Sequence, residues 1–200
     1  FLVNNMLLLA IAFVTLWGTV YPLISRLTND EEITIARPFY DQVNGPLMLG
    51  LIFLMGIGPL IPWRKAGLAT LRKTLLPPAV AGLATVAVLA ILGLHKEYAL
   101  IAFGLASFVT GGILMEWYRG TRSRHRSSGE NYAIAFLQLI AANRPRYGGY
   151  IVHIGIVLMF LGFAGAGFQQ DEQVLLKPGQ QAQVGDFVVR LDEIRVTDDG

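Results

Sequence analysis

Residues 149–168 read GYIVHIGIVLMFLGFAGAGF, twenty residues without an Asp, Glu, Lys or Arg and with one histidine, His153. That length of unbroken apolar sequence is what an α-helix needs to cross roughly 30 Å of hydrocarbon at about 1.5 Å per residue. A helix on the surface of a water-soluble domain would instead alternate apolar and polar faces every 3.6 residues. This segment is written for lipid.

The same signature recurs upstream at 6–24, 47–63, 75–94 and 98–118, the second span being short and ending in Gly56-Ile57-Gly58-Pro59. Charged residues make up 15% of the chain, against about 25% in soluble domains, and the mean hydropathy is +0.51. The expected fold is an all-α integral membrane protein of five transmembrane helices, a bundle over 1–168, with a small truncated extracytoplasmic β-domain beginning at 169. In that tail Lys177-Pro178-Gly179 marks a turn, 182–184 a short strand and Gly185-Asp186 a two-residue hairpin signal. Phe187, Val189 and Leu191 then alternate with Val188, Arg190 and Asp192, and 194–196 extends the pattern. The chain opens on Phe1 and closes on Asp198-Asp199-Gly200, which reads as a piece of a longer protein.

Lysines and arginines orient the spans. Ten lie in two loops: Arg64, Lys65, Arg72 and Lys73 after the second span, and Arg119, Arg122, Arg124, Arg126, Arg144 and Arg146 after the fourth. The other side carries six, three of them in the tail. Basic loops stay in the cytoplasm, so 64–74 and 119–146 are expected there and the C-terminal tail outside. The net charge of +2 and the pI near 9.0 reflect this topology rather than contact with nucleic acid. Trp63, Tyr98, Trp117, Tyr118, Tyr147 and Tyr150 all fall at span ends, where amphipathic rings anchor at the headgroups.

Between the spans, 25–45 reads as a solvated connection carrying Asp30, Glu31, Glu32 and Asp41. Residues 119–128 are basic and aperiodic. Ser127 followed by Glu130 resembles a capping box, and Tyr132, Phe136, Leu139 and Ile140 then form one apolar face. This predicts an interfacial helix over 129–142 on the cytoplasmic surface, stopped at Arg144-Pro145. Stripes of small residues, Gly104, Ser107 and Gly111 on span four and Gly162 with Ala166 on span five, suit close helix packing.

Little else can carry chemistry. There is no cysteine, which excludes disulfides, iron–sulfur clusters and thiolate zinc sites within these residues. No serine-nucleophile, phosphate-loop or zinc-helix motif occurs. His95 and His125 lie in polar segments and read as solvated. An ionisable group inside a membrane is a functional hypothesis by default, and His153 is the one well inside a span, with Glu116 near the cytoplasmic end of another. Burial disfavours the charged imidazole, leaving the neutral ring that can ligate a metal. The Gly155–Gly162 side is expected to pack on a neighbouring helix while the imidazole faces a flat apolar partner. Three roles stay open from position alone: a hydrogen bond to a neighbouring helix, ligation of haem or another metal, and a proton relay. A relay needs further titratable groups, and the spans supply none near the midplane.

Several motifs carry a resemblance. They are Asn4-Asn5 leading to Leu16-Trp17-Gly18-Thr19-Val20-Tyr21-Pro22-Leu23, Gly45-Pro46-Leu47-Met48-Leu49, and Gly56-Ile57-Gly58-Pro59-Leu60 with Trp63-Arg64-Lys65. The most specific is Arg146-Tyr147-Gly148-Gly149-Tyr150-Ile151-Val152-His153-Ile154-Gly155, followed by Leu176-Lys177-Pro178-Gly179-Gln180. In this order, over essentially the whole chain, they resemble the C-terminal half of the haem-handling membrane family of cytochrome c maturation. The resemblance implies a haem lyase component in the bacterial cytoplasmic (inner) membrane. Such proteins take transferred haem from a haem chaperone, attach it to apocytochrome c alongside other maturation subunits, and hold a haem b in the membrane between two histidines. By the family pattern His153 matches one axial ligand of that haem iron. The family's tryptophan-rich outer motif, its outer histidines and the second membrane histidine have no counterparts here, so no catalytic residue is assigned and these residues alone are not expected to be catalytic. The alternative is a membrane scaffold or transporter subunit with a structural histidine.

Overall fold

A computed structural model describes residues 2–29, 33–61, 67–166, 168, 174–184 and 187–193. It contains α1 (Leu2–Asn29), α2 (Arg37–Ile57) continued by a 3-10 turn (Gly58–Leu60), α3 (Leu68–Ile91), α4 (Glu97–Ser128), α5 (Tyr132–Ala142), α6 (Arg144–Ala166) and the strands β1 (Gln181–Val184) and β2 (Phe187–Arg190). Five of the helices, all but α5, are long and apolar enough to cross a membrane. The fold class is therefore the expected one, five candidate membrane helices and a small antiparallel sheet. The chain divides into two compact units, 1–164 and 165–200.

In hydrocarbon, polar groups must find partners inside the protein. The hydroxyls of Thr15, Thr19 and Thr28 donate to the carbonyls of Ile11, Thr15 and Ile24 one turn earlier on α1. Asn44 of α2 is buried and donates from Nδ2 to the Thr15 hydroxyl across to α1 at 3.3 Å. Gly18 leaves room for the Tyr40 ring, which would overlap any side chain there.

The tightest pair is α3 with α4. A Cβ on Gly82 would lie 2.7 Å from the Gly104 carbonyl oxygen, and one on Gly104 would lie 2.5 Å from Val86. The Ser107 hydroxyl donates to Thr85 Oγ1 at 2.9 Å, the Thr85 proton going to the Ala81 carbonyl. The stripe Gly104, Ser107, Gly111 thus acts as the sequence predicted, letting backbones approach. Around α4 lies the core: Ile52 and Leu60 from the second segment, Ala106, Phe108, Val109 and Ile113 from α4, and Tyr147, Tyr150 and Val157 from α6.

Several expectations are corrected. The segment 119–128 is not irregular: α4 runs through it to Ser128, because arginine is a good helix former, and it stays packed there, Gly120 against Leu139 and Tyr147. The segment 25–45 is mostly helical, α1 reaching Asn29 and α2 starting at Arg37 with Pro38 in its first turn, where a missing N–H costs nothing. No Ser127–Glu130 capping box forms. Ser127 bonds back to the Arg124 carbonyl, Gly129 closes α4 in the left-handed conformation at φ 70°, and Asn131 caps α5 by accepting from the Ala133 N–H. Arg144 opens α6 rather than merely ending the preceding helix.

Tyr147 and Tyr150, 6% and 4% exposed, are core residues and not headgroup anchors; Tyr98 and Tyr118 are exposed. His125 is not solvated either. Its ring stacks on Tyr132 at 4.0 Å and its Nδ1 meets the Glu130 carbonyl at 2.6 Å, which pins the α4–α5 turn together with the Arg124–Glu130 ion pair and an Arg124–Gln138 hydrogen bond. His95 is exposed, as expected.

In the second unit β1 and β2 pair antiparallel, Val184 opposite Phe187 and Gln181 opposite Arg190. Gly179, at φ 86°, donates to the Leu191 carbonyl at 2.6 Å. β2 is exposed along its length rather than alternately buried. Trp63, Arg64, Lys65, Asp30, Glu31, Glu32, the Gly185-Asp186 turn, residues 194–196 and Asp198-Asp199 lie outside the described residues.

Candidate functional site

His153 sits two turns into α6, and its ring is half-buried. It faces the protein interior. Tyr150 and Val157, three residues before and four after it, are core residues, whereas Gly155 and Gly162 have open space where a side chain would be. This reverses the expected use of the two faces: the glycine side of α6 packs on nothing among the described residues, and the imidazole side meets the bundle.

There it opens into a cavity of about 540 Å³ lined by Pro59, Leu60, Ile61, Thr74, Glu116, Arg146, Gly149, Tyr150 and His153. That volume lies in the range of sites for small molecules and cofactors, roughly 300–1,000 Å³. The walls come from four separate segments. Residues 59–61 enter through the break after α2, where Pro59 halts the helix; Thr74 comes from α3, Glu116 from α4 and the remainder from α6.

The imidazole is oriented by its own helix. Nδ1 lies 2.7 Å from the Gly149 carbonyl oxygen. A carbonyl can only accept, so Nδ1 carries the proton, and in the neutral ring Nε2 is left with its lone pair. Metal-bound histidines characteristically donate their second ring N–H to a carbonyl or carboxylate, which fixes the tautomer and strengthens the ligand. Gly149 offers the carbonyl, with open space at its Cα, so the ring is not crowded from that side. One such nitrogen would suit a metal that brings its other ligands with it, and no group of three or more His, Cys, Asp or Glu side chains that could hold a metal ion occurs among the described residues.

One rim of the cavity is charged. Arg146 Nη2 reaches Glu116 Oε2 at 2.7 Å and its Nε donates to the Tyr150 hydroxyl at 3.0 Å. The guanidinium lies 5.9 Å from the centroids of both Tyr147 and Tyr150, within cation–π range. Glu116, only 18% exposed, is thereby engaged and not a free base. Sequence reasoning counted Arg146 as a topology signal and Tyr150 as an anchor. The spacing Arg146–Tyr150–His153, steps of four and three that place all three on one helix face, was the signal that could have joined them.

These features define a class: a multi-pass helical membrane bundle with one oriented histidine in an interior cavity. Comparison with known proteins narrows it. Over 94% of its length the chain is 32% identical to the cytochrome c-type biogenesis protein ccl1 of Rhodobacter capsulatus. It is 29% identical over 96% of its length to CycK of Rhizobium meliloti, and 25% identical over 93% to CcmF of Escherichia coli, both also cytochrome c-type biogenesis proteins. The chain is homologous to the C-terminal portion of these CcmF, CycK and Ccl1 proteins, and spans 27–28% of the length of the three. No family model matches it, and no solved structure does.

Proposed function

We propose that this chain serves cytochrome c maturation by holding a haem b within the membrane, His153 supplying one axial nitrogen. The observation that carries this is the Nδ1–H bond to the Gly149 carbonyl, which turns Nε2 outward as a free donor in a cavity of cofactor size. Pro59, Leu60 and Ile61 give the cavity an apolar wall, and Arg146 and Glu116 supply charge at its rim. Bound there, haem would contribute an iron able to exchange one electron, with a potential tuned by its axial ligands and by burial. The second axial ligand would come from elsewhere in the intact protein.

The wider reading is that of a haem lyase component in the bacterial cytoplasmic membrane, basic loops inward. It would act on haem delivered by a chaperone and on apocytochrome c, together with other maturation subunits. The homology to cytochrome c-type biogenesis proteins supports this role. A purely structural histidine in a membrane scaffold is the rival. It would be expected to tie two helices together, but the ring's hydrogen bond stays within α6.

The test is His153→Ala in the intact protein, purified with its haem. Loss of the bis-histidine optical spectrum is expected. An unchanged reduced spectrum would refute the assignment, and normal haem content with lost complex assembly would favour the scaffold.

A further inference from the structure

We propose that a second cavity, between the start of α3 and the cytoplasm-directed end of α4, binds a phosphate group. It has a volume of about 470 Å³ and is lined by Ala69, Thr70, Lys73, Thr74 and Arg119. It shares Thr74 with the His153 cavity but requires no haem there.

Four features converge on an anion. The first turn of α3 brings the Leu68 and Ala69 N–H groups, which meet no acceptor among the described residues, and the positive end of the helix dipole, while the Thr70 and Leu71 N–H groups are bonded to the Gly67 carbonyl. Lys73 and Arg119 add two cations from different helices, and Thr70 a hydroxyl. Arg119 is steered to the cavity. Pro77 has no N–H to give the Lys73 carbonyl four residues earlier, and Arg119 Nη2 approaches that oxygen at 3.5 Å. Glu116 is shared between two arginines, its Oε1 3.9 Å from Arg119 and its Oε2 2.7 Å from Arg146, so its one negative charge does not cancel both.

The fourth feature is Thr74. It is 9% exposed and lines this cavity, and its hydroxyl makes no hydrogen bond among the described residues. Thr15, Thr19 and Thr85 all turn theirs onto the carbonyl one turn back. A nearly buried hydroxyl facing a basic cavity without a partner is a donor waiting for an acceptor. Phosphate oxygens take such donors and cations together. A basic pocket between membrane helices near the cytoplasmic surface suits the headgroup of an anionic lipid, and free phosphate carries the same chemistry.

The experiment uses the intact protein in neutral detergent and in nanodiscs. Inorganic phosphate is titrated calorimetrically, and retention of phosphatidylglycerol against phosphatidylcholine is read by native mass spectrometry. Lys73→Gln and the near-isosteric Thr74→Val are each expected to weaken binding about tenfold, the loss of one hydrogen bond to a charged group. Arg126→Gln, a cation off the cavity, should change nothing. Selective retention of phosphatidylglycerol without phosphate binding identifies the lipid headgroup as the source; phosphate binding identifies the free anion. Binding of neither ligand, or equal losses in all three variants, overturns the proposal. Circular dichroism confirms that Thr74→Val has folded.

Discussion

The Gly149 carbonyl oxygen stands 2.7 Å from Nδ1 of His153, one helical turn away. The bond is local, so it survives whatever neighbouring helices do, and it decides which ring nitrogen faces the cavity. Because only the backbone of Gly149 takes part, side-chain changes there separate the bond from the space beside it. Gly149→Leu should leave α6 intact, since its Cβ meets nothing within 4 Å, yet fill part of the cavity. The expected outcome is a normally folded protein with most of its haem absorbance lost; full haem occupancy would show that the cavity is not the site.

The charged rim can be tested as a pair. Glu116→Gln keeps an acceptor oxygen but removes the charge facing Arg146, whose side chain is about half exposed, and should cost up to about 1 kcal/mol. Arg146→Gln should cost a similar amount, and the double substitution less than the sum. Thermal unfolding in detergent gives the coupling. Strict additivity would mean that the 2.7 Å contact contributes nothing.

The α3–α4 contact predicts a steep asymmetry among glycines. Gly82→Val places a branched side chain against the Gly104 backbone, a wedge that neither helix relieves by a rotamer change, and overpacking of this kind costs about 1–3 kcal/mol. Gly155→Ala and Gly162→Ala, both facing open space, should be neutral or slightly stabilising. Comparable melting temperatures for all three would contradict the packing described.

At the α4–α5 turn, Asn131→Ala removes the cap that accepts from Ala133 and should cost about 1 kcal/mol. Ser127→Ala should cost far less, because its hydroxyl bonds back into α4. Amide exchange at the start of α5 is the readout; faster exchange in Ser127→Ala than in Asn131→Ala would reverse the assignment.

The membrane helices were legible because hydrocarbon imposes one crude requirement, some twenty apolar residues, which shows in any window of the sequence. Their ends were less so. Arg37 to Gly45 and Arg119 to Ser128 are polar enough to look like loops, and only the neighbouring chain decides that they remain helical. The cavity was the least legible part. Its walls come from residues 59–61, 74, 116 and 146–153, separated by long stretches of chain, and a single sequence offers no signal that Thr74 and Glu116 meet the same space as His153. Tyr147 and Tyr150 misled for a related reason, since an aromatic ring near a helix end is written identically whether it faces headgroups or another helix.

α4, at 32 residues, measures roughly 48 Å, well beyond what a hydrocarbon slab of about 30 Å demands. One stiff rod therefore carries the Gly104 contact with α3, the Glu116 rim and, at its tip, the clasp of Arg124 and His125 on α5. The seat of α5 and the carboxylate that faces Arg146 are thus set by one continuous backbone, with no loop between them.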